Sequence, residues 1–127
     1  MILLDIDLMI DLLRQYPPAV AWLDSLSDEE IVLPGYVVME VIQGCNSKAE
    51  QEKLEKELGA FSTTWPHPEV CDEALAVFSR YYLSHSLGII DALIGQLAVS
   101  LGLPLHTFNQ RHYAAILNLR TVQPYAK

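Results

Sequence analysis

Met1-Ile2-Leu3-Leu4-Asp5-Ile6-Asp7-Leu8-Met9-Ile10-Asp11-Leu12-Leu13 changes its hydrophobic period partway along. Ile2-Leu3-Leu4 is a continuous apolar run that stops at an acid, the pattern of a short strand buried on both faces. Leu8, Met9, Leu12 and Leu13 then recur at i, i+1, i+4 and i+5, which is one face of a helix. The stretch therefore predicts a buried strand, a turn at Asp5 and a helix.

The same unit repeats outward. Pro17-Pro18 ends the first helix, and Pro18 suits the first turn of a second one carrying Val20, Trp22, Leu23 and Leu26. Ile31-Val32-Leu33 reads as another strand, stopped by Pro34-Gly35, with a helix over 36–43 that Gly44 ends. Residues 48–58 form a charged helix with Glu52→Lys56 and Lys53→Glu57 spacings and a thin stripe of Ala49, Leu54 and Leu58, a solvated face. Residues 61–65 are strand-like. Pro66 and Pro68 then open a helix striped with Val70, Ala74, Val77, Phe78 and Tyr81. A helix over 91–101 stops at Gly102, and a strand over 104–108, a short helix over 111–117 and a strand over 119–122 complete the chain. Strands alternating with helices predict an α/β fold, a mostly parallel sheet covered by helices on both faces. Ligands in such sheets bind outside the carboxyl ends of the strands. Asp5 and Asn109 both follow strands.

With 127 residues, 51% of them hydrophobic, the chain is expected to form one domain over 1–127 with a sizeable core, which excludes disorder. Cys45 and Cys71 lack any metal-ligand spacing and read as reduced, buried thiols of a cytosolic protein. The most apolar stretch, 87–105, is interrupted by Asp91, Gln96 and Ser100, so no membrane span is expected. Asp5 and Asp7 interrupt the first apolar run and no basic leader precedes it, unlike a signal peptide. The net charge of −8 makes non-specific nucleic-acid binding poor, so a phosphate backbone would need bridging cations. The charge is uneven. Asp91 is the only acid beyond residue 73, against Arg80, Arg111, Arg120 and Lys127.

Glu40 lies in Val37-Val38-Met39-Glu40-Val41-Ile42, a helix apolar all round and so expected to be buried. A carboxylate there needs a basic partner, nearby amides or a cation. The scarcity of bases favours the cation. Asp91 reads either as an ordinary N-cap or as a ligand. Asp5 reads as a turn acid or a ligand, Asp7 as a helix cap, Asp11 as a surface acid and Asn109 as a turn former or a ligand. Taken together, three acids and an amide stand at strand ends and helix starts, a set suited to Mg²⁺ and its phosphate chemistry. His67, His85, His106 and His112 show no metal-ligand spacing and read as structural or surface residues. A phosphorylation receiver domain fails for want of a late-strand lysine.

Leu3-Leu4-Asp5-Ile6-Asp7-Leu8-Met9-Ile10-Asp11-Leu12-Leu13 resembles the opening of PIN-domain proteins, above all the VapC-like toxins. Met39-Glu40-Val41-Ile42-Gln43-Gly44, Ile90-Asp91-Ala92-Leu93-Ile94-Gly95 and Leu105-His106-Thr107-Phe108-Asn109-Gln110-Arg111-His112-Tyr113 resemble their second, third and fourth motifs, in order and over nearly the whole chain. The resemblance implies a three-layer α/β/α sandwich and a cytoplasmic, Mg²⁺- or Mn²⁺-dependent endoribonuclease. It places the metal and catalytic residues on Asp5, Glu40, Asp91 and Asn109, with Asp7, Thr107 and Arg111 supporting. Arg111, Arg120 and His112 are candidates for contacts to RNA. It also implies a homodimer and a cognate antitoxin whose basic segment enters the acidic cleft. Ile6 stands where the family usually has a small hydroxyl residue, Asp7 where Asn is common, and Asn109 where Asp is frequent and Asn also occurs. Ile6 and Asn109 favour the alternative, a non-catalytic PIN-like module that binds RNA or a protein.

Overall fold

The computed structural model describes Met1–Lys127. Strand β1 (Ile2–Leu4) runs through the centre, with Leu3 and Leu4 fully buried. Its helix α1 (Ile6–Leu13) and α2 (Pro17–Ser25) lead to β2 (Ile31–Pro34), and α3 (Gly35–Gln43) and α4 (Lys48–Leu58) lead to β3 (Ser62–Thr64). The long α5 (Pro68–His85) and α6 (Ile89–Leu101) return the chain to β4 (Leu105–His106), and α7 (Gln110–Tyr113) connects it to β5 (Thr121–Val122).

All five strands are parallel, in the order β3-β2-β1-β4-β5. The chain moves outward from β1 to β3, crosses back and continues to β5. Right-handed crossovers then place α1–α4 on one face and α5–α7 on the other. The packing follows that division, α1 against α2 and α3, α3 against α4, and α6 against α5 and α7. The result is the expected three-layer α/β/α sandwich. The strand order reverses between β1 and β4, and at such a switch point the loops leaving the two carboxyl ends diverge and open a crevice. Asp5 leaves β1 and Thr107 leaves β4 at that place.

Several local expectations need correction. Helix α6 begins at Ile89 with Gly88 as N-cap, so Asp91 is its third residue and not its cap. Gly88 caps without a side chain, and a Cβ there would stand 3.0 Å from Asp91 Oδ2, so the glycine leaves room for the carboxylate. Helix α3 is not buried all round: Gly35 and Val37 are, while Met39 is 59% exposed and Glu40 half-buried. Ala49 of α4 faces solvent, although Leu54 and Leu58 are buried as the stripe requires. Helix α7 ends at Tyr113, well short of residue 117. Both cysteines are free but only half-buried. Asp11 is buried, at 8% exposure, rather than a surface acid. No helix is long and apolar enough to cross a membrane.

Candidate functional site

Asp5 is the N-cap of α1, in extended backbone, and its Oδ1 accepts the Ile6 N–H at 2.8 Å. The strand end places the carboxylate at the switch point, where it is only 3% exposed. Its Oδ2 accepts the hydroxyls of Thr107 and Tyr113, each at 2.9 Å. Burial pushes the Asp5 carboxyl above its ordinary value, the Asp7 charge adds to this, and the hydrogen bonds oppose it.

Asp7 takes a different part from a helix cap. Its Oδ1 accepts Leu8 N–H at 2.9 Å and its Oδ2 accepts Phe108 N–H at 2.7 Å, which fastens the segment after β4 to α1. Thr107, fully buried, also lies 3.3 Å from Asp7 Oδ2, and its Oγ1 accepts Asn109 N–H at 3.0 Å. Asn109 precedes α7 but its side chain caps nothing and is exposed. Arg111 is exposed and forms no ion pair within 4.0 Å.

Glu40 enters from α3 and Asp91 from α6, on opposite faces of the sheet. Burial raises the Glu40 carboxyl, and the charges of Asp5 and Asp91 raise it further. Neither Asp5 nor Glu40 has a Lys, Arg or His within ion-pair distance. Asp91 Oδ2 has His112 Nδ1 at 3.8 Å, so His112 belongs to the acidic cleft. The basic partner that Glu40 would need as a structural ion pair is not there. Asp5, Glu40 and Asp91 are thus brought into one electrostatic neighbourhood, bordered by Asn109 through Thr107.

Oxygen-only donors with uncompensated negative charge fit a hard divalent cation. No three His, Cys, Asp or Glu side chains close on a common point as placed. Mg²⁺ does not require such a cage, since it takes one or two carboxylates and completes its shell with water and substrate phosphates.

Beside Glu40 a groove of about 380 Å³ runs between α1, α3 and α4, walled by Ile6, Ile10, Val41 and Leu54 and edged by Glu50 and Glu57 together with Arg14 and Lys53. Ile6 therefore forms groove wall where a small hydroxyl was expected from the family pattern. The charged helix α4, read as a purely solvated face, supplies one side of this groove.

Tyr113 is the site residue that sequence reasoning passed over. It lies in an ordinary apolar stretch, Tyr113-Ala114-Ala115-Ile116, and its partner is 108 positions earlier. The available signal was a hydroxyl on an otherwise core-like ring, which needs a partner when buried. Burial first, then the charges of Asp5 and Asp91, drive the phenol far above its ordinary value, so it stays a hydrogen-bond donor.

The PIN domain family model matches residues 2–116, and the chain belongs to the PIN domain family. Its fold is similar to that of a chain in a toxin–antitoxin complex from Klebsiella pneumoniae, with TM-score 0.78, 22% identity and 98% of both chains covered. FitAB bound to an IR36 DNA fragment contains a chain similar at TM-score 0.77 and 27% identity, over 98% of this chain and 95% of that one. VapBC2 from Rickettsia felis, bound to a DNA fragment from their promoter, gives TM-score 0.76 and 20% identity, over 96% and 98%. No curated protein sequence matches the chain significantly.

Proposed function

We propose that this chain is a divalent-metal-dependent endoribonuclease and the toxin of a toxin–antitoxin pair. The observation that carries the reading is the grouping of Asp5, Glu40 and Asp91 at the switch point with no lysine or arginine within ion-pair distance of them. Structural acids are paired or exposed, whereas acids gathered without counter-charge suit a cation. Asp5, Glu40 and Asp91 would hold Mg²⁺ or Mn²⁺, with Asn109 ligating or positioning a ligand water. Such an ion neutralises phosphate charge and acidifies a water, the two needs of phosphodiester hydrolysis. Thr107 and Asp7 fix the segment carrying Asn109, and Arg111, exposed on the same segment, would meet an RNA backbone.

The toxin reading is supported by the similar chains, which come from toxin–antitoxin complexes. It also agrees with the groove beside Glu40, whose apolar walls suit an amphipathic segment and whose acids, Glu40, Glu50 and Glu57, outnumber its bases, Arg14 and Lys53. The test is cleavage of RNA by the purified chain, with Asp5→Asn, Glu40→Gln and Asp91→Asn as controls. Each substitution removes charge and keeps bulk. Cleavage is expected with Mg²⁺ or Mn²⁺, and is expected to vanish with EDTA and in each variant. Cleavage that survives EDTA or all three variants overturns the ribonuclease assignment. An inert wild type returns the chain to the non-catalytic alternative.

A further inference from the structure

The two hydroxyls on Asp5 Oδ2 are not equivalent. Thr107 has a single proton and stands within reach of two carboxylates, Asp5 at 2.9 Å and Asp7 at 3.3 Å. Its oxygen is also occupied by the Asn109 N–H. Tyr113 has one polar partner only, Asp5 Oδ2. The phenol is therefore the unshared donor.

The Tyr113 ring is 2% exposed and belongs to the hydrophobic core. A phenylalanine would fill the same space, so packing alone gives no reason for the hydroxyl. The approach of α7 that brings it to Asp5 depends on Gly95 of α6. A Cβ there would collide with Ile116 and stand 3.5 Å from the Tyr113 ring.

We propose that Tyr113 is a positioning residue for Asp5. Its hydroxyl, with that of Thr107, donates to Oδ2 and fixes the rotation of the carboxylate. Oδ1 has only the Ile6 N–H as donor and keeps a lone pair for a cation. This rests on the metal-nuclease reading above. Groups that orient a metal ligand typically change metal affinity or activity by about 10- to 100-fold when removed.

The experiment compares wild type with Tyr113→Phe, which keeps the ring and its packing. Three quantities are read: kcat and KM on one defined RNA, the Mn²⁺ concentration at half-maximal melting shift, and the melting temperature without metal. In Tyr113→Phe, kcat is expected to fall about 10- to 100-fold with KM within about twofold, and the Mn²⁺ midpoint to rise about 10-fold. A metal-free melting temperature that drops while kcat and the Mn²⁺ midpoint stay at wild-type values overturns the assignment, because the hydroxyl would then be structural only. A wild type that neither cleaves nor responds to Mn²⁺ overturns the metal-nuclease reading and this assignment with it. A wild type that does both, with an indistinguishable Tyr113→Phe, overturns the assignment alone.

Discussion

Tyr125 donates its hydroxyl to Asp11 Oδ2 at 2.7 Å across 114 positions, and Lys127 Nζ reaches the same oxygen at 2.9 Å. The pair ties residues 125–127 to the last turn of α1. The Tyr125 ring also packs edge-on to Phe108 at 4.9 Å, so this tether lies against the segment that carries Asn109. Burial pushes the Asp11 carboxyl up, but the hydrogen bonds from Lys127 and Tyr125 and the charges of Lys127 and Arg14 outweigh it and hold it below its ordinary value. A depressed carboxyl stabilises the fold above its unfolded value of 3.8, and that contribution is lost as pH falls through the lower folded value.

Asp11→Asn is accordingly expected to melt below wild type at pH 7. The loss is of order 1–2 kcal/mol, the range for a hydrogen bond to a charged group reduced by the exposure of Lys127. That corresponds to a shift of roughly 3–10 °C for a domain of this size. The gap is expected to narrow as pH falls below 3.8 and to close only once the folded wild-type carboxyl, held below that value, protonates as well. Melting curves of both proteins from pH 7 down to the acid limit of the folded state check it; a gap that shows no narrowing as the pH falls means packing, not charge, holds the tether.

His106 also loses stability in acid, but through desolvation rather than a lost ion pair. Its Nδ1 is buried without a hydrogen-bond partner, and its ring lies 5.6 Å from that of Trp22. Burial pulls the imidazole below its ordinary 6.5, so the folded chain refuses a proton that the unfolded chain accepts. Full stability is present above pH 6.5 and declines as the pH falls from there toward the folded value. His106→Phe keeps an aromatic against Trp22 and is expected to flatten the stability profile between pH 6.5 and 5. Urea unfolding at half-unit pH intervals measures this, and equal slopes in the two proteins would refute it.

The elements that the sequence made legible are those governed by neighbours along the chain. Ile2-Leu3-Leu4 and Ile31-Val32-Leu33 are interior parallel strands covered on both faces, so they appear as unbroken apolar runs. The carboxyl-end rule then placed Asp5 and Asn109 near one crevice. What was not legible depends on long-range pairing. Asp11 looks like any helical acid until Tyr125 and Lys127 arrive, and Tyr113 looks like core until it meets Asp5. The start of α6 is not legible because Asp favours N-caps, whereas Gly88 takes that position and leaves room for the Asp91 carboxylate. Apolarity alone makes helix α3 look buried, but Val41 forms groove wall and Met39 is exposed.

The same groove yields an expectation about partners. A basic side chain entering from it would meet Glu40, which lies within the field of Asp5 and Asp91, and would replace the cation's charge. Purification from the native host is expected to bring down a small protein with a basic segment, whose removal releases ribonuclease activity. Glu40→Gln is expected to weaken that complex by ~2 kcal/mol or more, about 30-fold, as for other desolvated charge pairs. Binding that is unchanged in Glu40→Gln, or a native chain that purifies alone and fully active, contradicts this arrangement.

Glu40 also separates a metal site from a structural acid by the sign of its effect on stability. Burial and the charges of Asp5 and Asp91 raise its carboxyl, so the folded chain prefers Glu40 protonated. The stabilisation from that group is present below its unfolded value of 4.5 and lost as pH rises through the folded value. At pH 7 without metal, charged Glu40 therefore strains the fold, and Glu40→Gln is expected to melt above wild type. At pH 4 the two should melt alike. A metal bound only to the folded chain adds about 1.4 kcal/mol at ten times its Kd. For a domain of this size that is a rise of roughly 3–8 °C. Wild type is expected to show this rise with Mn²⁺ and Glu40→Gln to lose most of it, reversing the order of the two proteins as metal is added. Thermal melting at both pH values, with and without millimolar Mn²⁺, decides the matter. A Glu40→Gln protein that is less stable than wild type in the absence of metal would mean that Glu40 holds the fold together rather than waiting for a cation.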